Sequence, residues 1–427
     1  MNKTKQTFIF GFAIFAGFFG AGNLILPPLL GFNSGPDWWI VTIGFLISAT
    51  IFPLLALFGH AKLQGTMLDF GNKVSPVFSL IFCLLIYTIA IALPCPRTAA
   101  VTHEMAIAPF FGTPPILTSL IYFSLAFLFV MNRNTVLDLL GKYLTPIIVL
   151  ILLVIISIGL FSPSTGMNLS NFETPFVSGF LEGYQTYDAM AGLMMGAVVV
   201  ISVNNLKGDM SSAEKKSMLT KSSIIAMFGL FIIYAGLIAI GAYYNTEFEN
   251  TISRTELLLG LSTKTLGGIG SAFLSVLVGL ACFSTAVAII VGTADFFKGL
   301  FKNSKKAYLI TAIISCVLGV LVGQFDVHYI IIIALPALMF MYPIIIALIL
   351  LNLLPNKFAT KLVFRSVVII TFIFSIPDFL GFLLAPEQLE GITSVIPYAQ
   401  HNLGWVLPAL LTFILTNLSI KIKAQYV

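Results

Sequence analysis

Apolar residues in this chain come in runs far longer than the one-sided stripe of a soluble helix. Uncharged stretches of about 20 residues recur from end to end, separated by short polar segments. At about 1.5 Å per residue, a helix of that length crosses a hydrocarbon layer of roughly 30 Å. The pattern predicts twelve helices, at residues 7–30, 38–58, 76–111, 115–131, 143–161, 176–203, 222–244, 267–296, 307–323, 328–351, 362–385 and 402–420. No stretch alternates polar and apolar residues as a membrane barrel requires. The expected class is an all-α polytopic membrane protein.

Four of these spans carry polar chemistry. The first contains GFFGAGN at 17–23, followed by Pro27 and Pro28. Glycine inside a helix costs about 1 kcal/mol relative to alanine. In a bilayer, backbone freed from helical bonds survives only inside protein or along a wet cavity. The run reads either as a helix break whose bared amides and carbonyls hold a solute or ion, or as a close helix–helix contact of small residues. Asn23 beside the glycines favours a site. The sixth span carries EGYQTYDAMAG at 182–192, where Glu182, Gln185, Thr186 and Asp188 are too polar to face lipid. The third holds Arg97, His103 and Glu104. A charge at membrane depth costs several kcal/mol, so it faces a cavity or a partner. Arg97 and Glu104 share a helix face but lie two turns apart, too far for an unaided contact. Arg97 is open between a structural ion pair, with Asp188 as one partner, and a direct role in transport. In the eighth span, GLACFSTAVA at 279–288 sets Ser284 beside Thr285, although such hydroxyls often bond only their own helix.

Composition narrows the class. With 58% hydrophobic and 9% charged residues the chain is no soluble globule. The net charge of +5 reads as topology. Of 22 Lys and Arg, Arg254 and Lys264 fall in predicted outer loops and Arg97 in a span, which leaves nineteen on one side. That asymmetry, with an even number of spans, puts both termini in the cytoplasm. The opening MNKTKQ superficially resembles a signal peptide, but the apolar run behind it is too long, and an uncleaved first span is expected. Cys83, Cys95, Cys282 and Cys316 all lie in spans without pairing or metal-ligand spacing, and read as packing residues. His103-Glu104 is followed by MAIA, so the second histidine of a zinc-protease helix is missing. Neither an enzyme nor a resident cofactor is expected. A channel would line its pore with polar or charged rings, whereas polar groups here gather in spans one, three, six and eight.

The two broken spans are the first and the sixth. That spacing signals a five-plus-five inverted repeat, over 7–161 and 176–351, followed by two further helices over 362–420, in one transport domain of residues 1–427. Half-helix N-termini aim amides at an anion, while freed carbonyls coordinate a cation. A carboxylate-bearing solute carried with a monovalent cation fits such a site.

FFGAGNLILPP, PRTAAVTHEMAIAPFFG, EGYQTYDAMAGLMMG and GLACFSTAVA resemble, in this order, the branched-chain amino acid carrier family of bacteria, and the resemblance spans essentially the whole length. It implies cation-coupled import of leucine, isoleucine and valine, and the leucine-transporter fold of the wider amino acid–polyamine–organocation group. Carried over to this chain, it implies that the carbonyls of Ala16, Phe19 and Ala281 and the hydroxyls of Ser284 and Thr285 hold sodium. It implies that Gly20, Ala21 and Gly22 take the substrate carboxylate. Tyr184, Thr186, Asp188 and Ala189, on the sixth span, would line the side-chain pocket. Phe18 and Asn23 correspond to a second sodium site present in only some relatives, and that site is not expected here. From the residues alone, Arg97, Glu104 and Glu182 are candidates for gating or charge pairing. In proton-coupled members of the wider fold a lysine on the fifth span replaces sodium. Here that span has only Lys142, at its cytoplasmic start, which favours sodium. Asp188 and Glu182 keep proton coupling open. Partners are the amino acid and the bilayer, with no nucleic acid.

Overall fold

The sequence-predicted first helix stops early. In the computed structural model, which describes residues 3–132, 136–162, 166–204 and 211–425, α1 (Lys3–Phe18) ends before the glycines, a 3-10 turn covers Ala21–Asn23, and α2 (Leu26–Ser34) resumes. The loop expected at 31–37 is instead a tight turn, Gly35–Asp37, leading into α3 (Trp38–Leu46). Gly35 sits at φ 48°, and a β-carbon there would fall 2.0 Å from the carbonyl oxygen of Asn168. Only glycine allows both the turn and the approach. The second span continues as a π-helical turn at Ile47–Ile51 into α4 (Phe52–Leu63), and α5 (Met67–Gly71) follows. Leu26–Leu63 is thus one 38-residue helical stretch where the sequence predicted an end and a beginning.

The long third span divides at Leu93-Pro94 into α6 (Pro76–Ala92) and α7 (Pro94–Thr102), because proline lacks the N–H that would extend the helix. A π-helical turn, His103–Ile107, ends it. Next come α8 (Pro115–Met131), α9 (Val136–Phe161) and α10 (Pro175–Glu182). Arg133 lies outside the described residues, as does the side chain of Lys142. A 3-10 turn at Gly183–Thr186 and Tyr187 at φ 61° separate α10 from α11 (Asp188–Asn204). The remainder is α12 (Ser212–Tyr243), α13 (Arg254–Leu300), α14 (Lys305–Val322), α15 (Val327–Leu353), α16 (Lys361–Leu380), α17 (Pro386–Thr393) and α18 (Val406–Gln425). The described residues contain no strand. Seven of their helices are long and apolar enough to cross a membrane, and eight if the broken pair around Tyr187 counts as one span.

One expectation fails in the segment before the eighth span. Residues 254–266, taken as an outer loop, form a helix that meets the eighth span at Gly267, whose φ is 72°. The signal was present. Ser253 accepts from the Glu256 amide, and the Glu256 side chain returns to the Ser253 amide, a capping box written S-x-x-E.

The chain divides into two discontinuous units. The first comprises residues 1–48, 87–186 and 221–333. In it α3 and α10 touch backbone to backbone. A β-carbon on Gly44 would lie 2.1 Å from the Phe176 carbonyl oxygen, and one on Gly179 would lie 2.1 Å from that of Val41. Small residues at such a crossing replace the hydrophobic drive that lipid removes. Cys95, Ala99, Phe123, Ala126, Ala286, Val287, Ile290, Ala312 and Cys316 form a core among α7, α8, α13 and α14. The second unit comprises residues 49–86, 187–220 and 334–427. There the His60 ring reaches the Leu193 carbonyl at 2.9 Å, packed where a β-carbon on Gly196 would collide with it. Lys62 donates to the last two carbonyls of α15, at Asn352 and Leu353, and to that of Leu354 just beyond, a favourable charge at a helix C-terminus.

Candidate functional site

The first break is built by two shifted hydrogen bonds. A continuous helix would give the Gly20 amide to the Ala16 carbonyl; it goes instead to Phe18, at 2.7 Å. The Asn23 amide would go to Phe19; it goes to Gly20, at 2.8 Å. The carbonyls of Ala16 and Phe19 thereby lose their helical donors, and these are the two carbonyls named for sodium. Gly20 rests against the eighth span. A β-carbon there would lie 3.7 Å from Thr285 Cγ2 and 3.8 Å from its Oγ1. Ser284 and Thr285 are both half-buried, and each hydroxyl donates to the Ala281 carbonyl at 2.9 Å. Donation uses the proton and leaves the oxygen lone pairs, so five oxygens without formal charge stand on the two elements. The Ala21 side chain lies outside the described ones.

The second break has no run of glycines. Thr186 donates to the Gly183 carbonyl at 2.8 Å and closes the 3-10 turn. Tyr184, Gln185 and Thr186 are buried, and the Tyr184 ring meets Phe180 edge-on at 5.3 Å. The side-chain oxygen of Gln185, a residue 1% exposed, has no partner among the described residues. Asp188 and Ala189, also buried, open α11 in the second unit.

Arg97 ties the two breaks together. It is 3% exposed; its Nη1 donates to the Gln185 carbonyl at 2.8 Å and its Nη2 to Asn23 Oδ1 at 3.3 Å. Asn23 in turn donates to the Tyr234 hydroxyl at 3.4 Å. Gly22 faces the guanidinium, with a built β-carbon 3.4 Å from Nε. The sequence grouped Arg97 with Glu104 and Glu182, and the structure regroups the two acids. Glu182 forms an ion pair with Arg254, 2.5 Å apart, on the helix mistaken for a loop. Glu104 accepts from the Thr255 hydroxyl at 2.6 Å and from the Val327 amide at 2.8 Å. Both acids thus fasten the helical segment that begins at Arg254. Sequence reasoning missed Gln185 as a site residue, since its contact with Arg97 runs through a main-chain carbonyl that residue type does not encode. Among the described residues, no three His, Cys, Asp or Glu side chains could share a metal ion.

Comparison with known proteins agrees in length and topology. A family model described as branched-chain amino acid transport protein matches residues 3–423. The branched-chain amino acid transport system 2 carrier protein of Pseudomonas aeruginosa is 31% identical over 414 residues, covering 95% of this chain and 94% of that protein. The branched-chain amino acid permease BraB of Bacillus subtilis is 32% identical over 419 residues, covering 95% and 93%. Among solved structures, inward-facing Mhp1 superposes with a TM-score of 0.64 at 14% identity, covering 98% of this chain and 91% of that one. A Na+-coupled sialic acid symporter in a substrate-bound, outward-open state gives 0.57 at 14% identity, covering 96% and 89%. The fold is that of the leucine-transporter-like carriers.

Proposed function

The chain belongs to the branched-chain amino acid transport protein family, and on that premise we propose that it is a secondary importer of leucine, isoleucine and valine, driven by sodium through alternating access. Its family and relatives are transport proteins rather than enzymes. The observation that carries the proposal is the first break, where the Ala16 and Phe19 carbonyls lose their helical donors beside Gly20, itself packed on Thr285.

In this reading those carbonyls, with the Ala281 carbonyl and the Ser284 and Thr285 hydroxyls, hold sodium. Neutral oxygens suit a hard monovalent ion and let it leave again. The amides of Ala21 and Gly22, with that of Gly20 once it leaves the Phe18 carbonyl it meets here, take the substrate carboxylate, helped by the partial positive charge of a half-helix start. Tyr184, Thr186, Asp188 and Ala189 line the aliphatic pocket. Residues 7–161 and 176–351 act as the two inverted repeats, 362–420 add two helices, and both termini lie in the cytoplasm. The burial of Asn23, Tyr184, Gln185 and Thr186 supports a carrier over a channel. A solute reaches such groups only when part of the shell moves, and a moving shell is what couples solute to ion.

A proton-driven version would use Asp188 or Glu182. The ion pair of Glu182 with Arg254 argues against Glu182 and leaves Asp188 as its carrier. The test of substrate class is uptake of radiolabelled leucine into proteoliposomes with unlabelled competitors. Isoleucine and valine should both compete with leucine, valine weaker by about 10–200-fold at most because the methylene it lacks is worth about 1–3 kcal/mol, while lysine and glutamate should not compete. Equal competition by charged amino acids would reject the aliphatic pocket.

A further inference from the structure

Building on the reading of the chain as a cation-coupled carrier, we propose that Arg97 is a tethered cation standing in for a second coupling ion between the two helix breaks. Breaking two helices inside a membrane strips oxygen atoms of their donors, and each must be satisfied by a bound cation or a supplied N–H. At this junction the supply is a guanidinium. One arm takes the main-chain carbonyl of Gln185 at the second break, and the other takes the side-chain oxygen of Asn23 at the first. Gly22 lets it lie flush against the first break. The planar fork of arginine suits two acceptors in fixed directions, and it keeps its proton at any physiological pH. A mobile ion on the same oxygens would enter and leave with each cycle; a side chain cannot.

Two consequences follow for transport. The positive charge near the amides of residues 20–22 becomes a fixed part of the site and is not carried with the solute. The mobile cation is then confined to the separate set formed by Ala16, Phe19, Ala281, Ser284 and Thr285. The coupling ratio is one mobile ion per amino acid.

The test uses the full chain in proteoliposomes and in detergent. In the unaltered protein, fluxes of radioactive sodium and leucine should stand in a ratio of one, and sodium should saturate at one ion per chain. In Arg97→Gln, leucine uptake should fall at least 100-fold. Leucine binding by the folded variant should recover with tens of millimolar guanidinium, and sodium should now saturate at two ions per chain. Arg97→Lys keeps the charge without the fork, and should give intermediate uptake with no response to guanidinium. A ratio of two in the unaltered protein would overturn the proposal. So would an Arg97→Gln variant that transports normally, or a folded one deaf to both cations while Arg97→Lys is equally inactive. If Arg97→Gln does not fold, the ratio and Arg97→Lys decide alone. Absence of any aliphatic amino acid uptake by the unaltered protein would instead reject the carrier reading, and uptake without sodium would reject sodium coupling and leave the guanidinium result to decide.

Discussion

The two helix breaks do the same job by different means. The first is written into the backbone: Gly17, Gly20 and Gly22 weaken the helix, and two amides shift to nearer carbonyls. The second is imposed from outside. Gly183 is its one glycine, Tyr187 is forced to φ 61°, and Arg97 of another span grips the Gln185 carbonyl. A bulky residue in the left-handed region costs on the order of 1–3 kcal/mol and persists only when its surroundings demand it. A break encoded locally tolerates loss of its neighbours. A break held by tertiary contacts does not.

Removing Arg97 probes this difference most severely. Arg97→Gln takes away charged hydrogen bonds worth about 1.5–3 kcal/mol each, so the detergent-solubilised protein should melt several degrees lower. Hydrogen exchange should rise at 183–187 and stay near normal at 19–25. Next in size is the reverse experiment on the first break. Gly20→Ala with Gly22→Ala returns about 2 kcal/mol to the continuous helix. Uptake should drop roughly 30-fold while the melting temperature rises, since both added methyls meet only ordinary van der Waals distances.

Ser284→Ala with Thr285→Ala should raise the sodium concentration for half-maximal uptake about thirtyfold, at about 1 kcal/mol for each lost hydroxyl. Leucine affinity at saturating sodium should hold. Thr186→Val removes the hydroxyl that closes the second turn. At about 1 kcal/mol it should weaken leucine binding roughly fivefold, measured by equilibrium binding. A further effect is expected from Arg254→Gln, which breaks a partly buried pair with Glu182, the two side chains being 14% and 19% exposed. The solvent contact such a pair keeps lets salt screen it in part. The loss in melting temperature should therefore shrink as ionic strength rises.

The same contrast explains what the sequence disclosed. Long uncharged runs give the membrane class directly, and glycines beside Asn23 mark the first break because glycine acts through its own backbone. The polar cluster at 182–192 marks the second break without showing its geometry, since residue types do not say which carbonyl a distant arginine takes. Arg97 stood out as a buried charge, yet Gln185 as its acceptor was invisible. The π-helical turns at 47–51 and 103–107 had no sequence signal. The helix after Ser253 did have one, a capping box within a stretch too polar to be read as a span. Helices fixed by hydropathy were legible, and those fixed by capping or packing were not.

If neutral oxygens on the first break and on the eighth span bind the driving ion, leucine uptake into proteoliposomes should depend on an imposed sodium gradient and not on a proton gradient at matched voltage. Uptake that follows sodium, and is lost in the Ser284→Ala/Thr285→Ala variant at low sodium, is the predicted result. Uptake that follows the proton gradient and ignores sodium would contradict it and move the coupling role to Asp188.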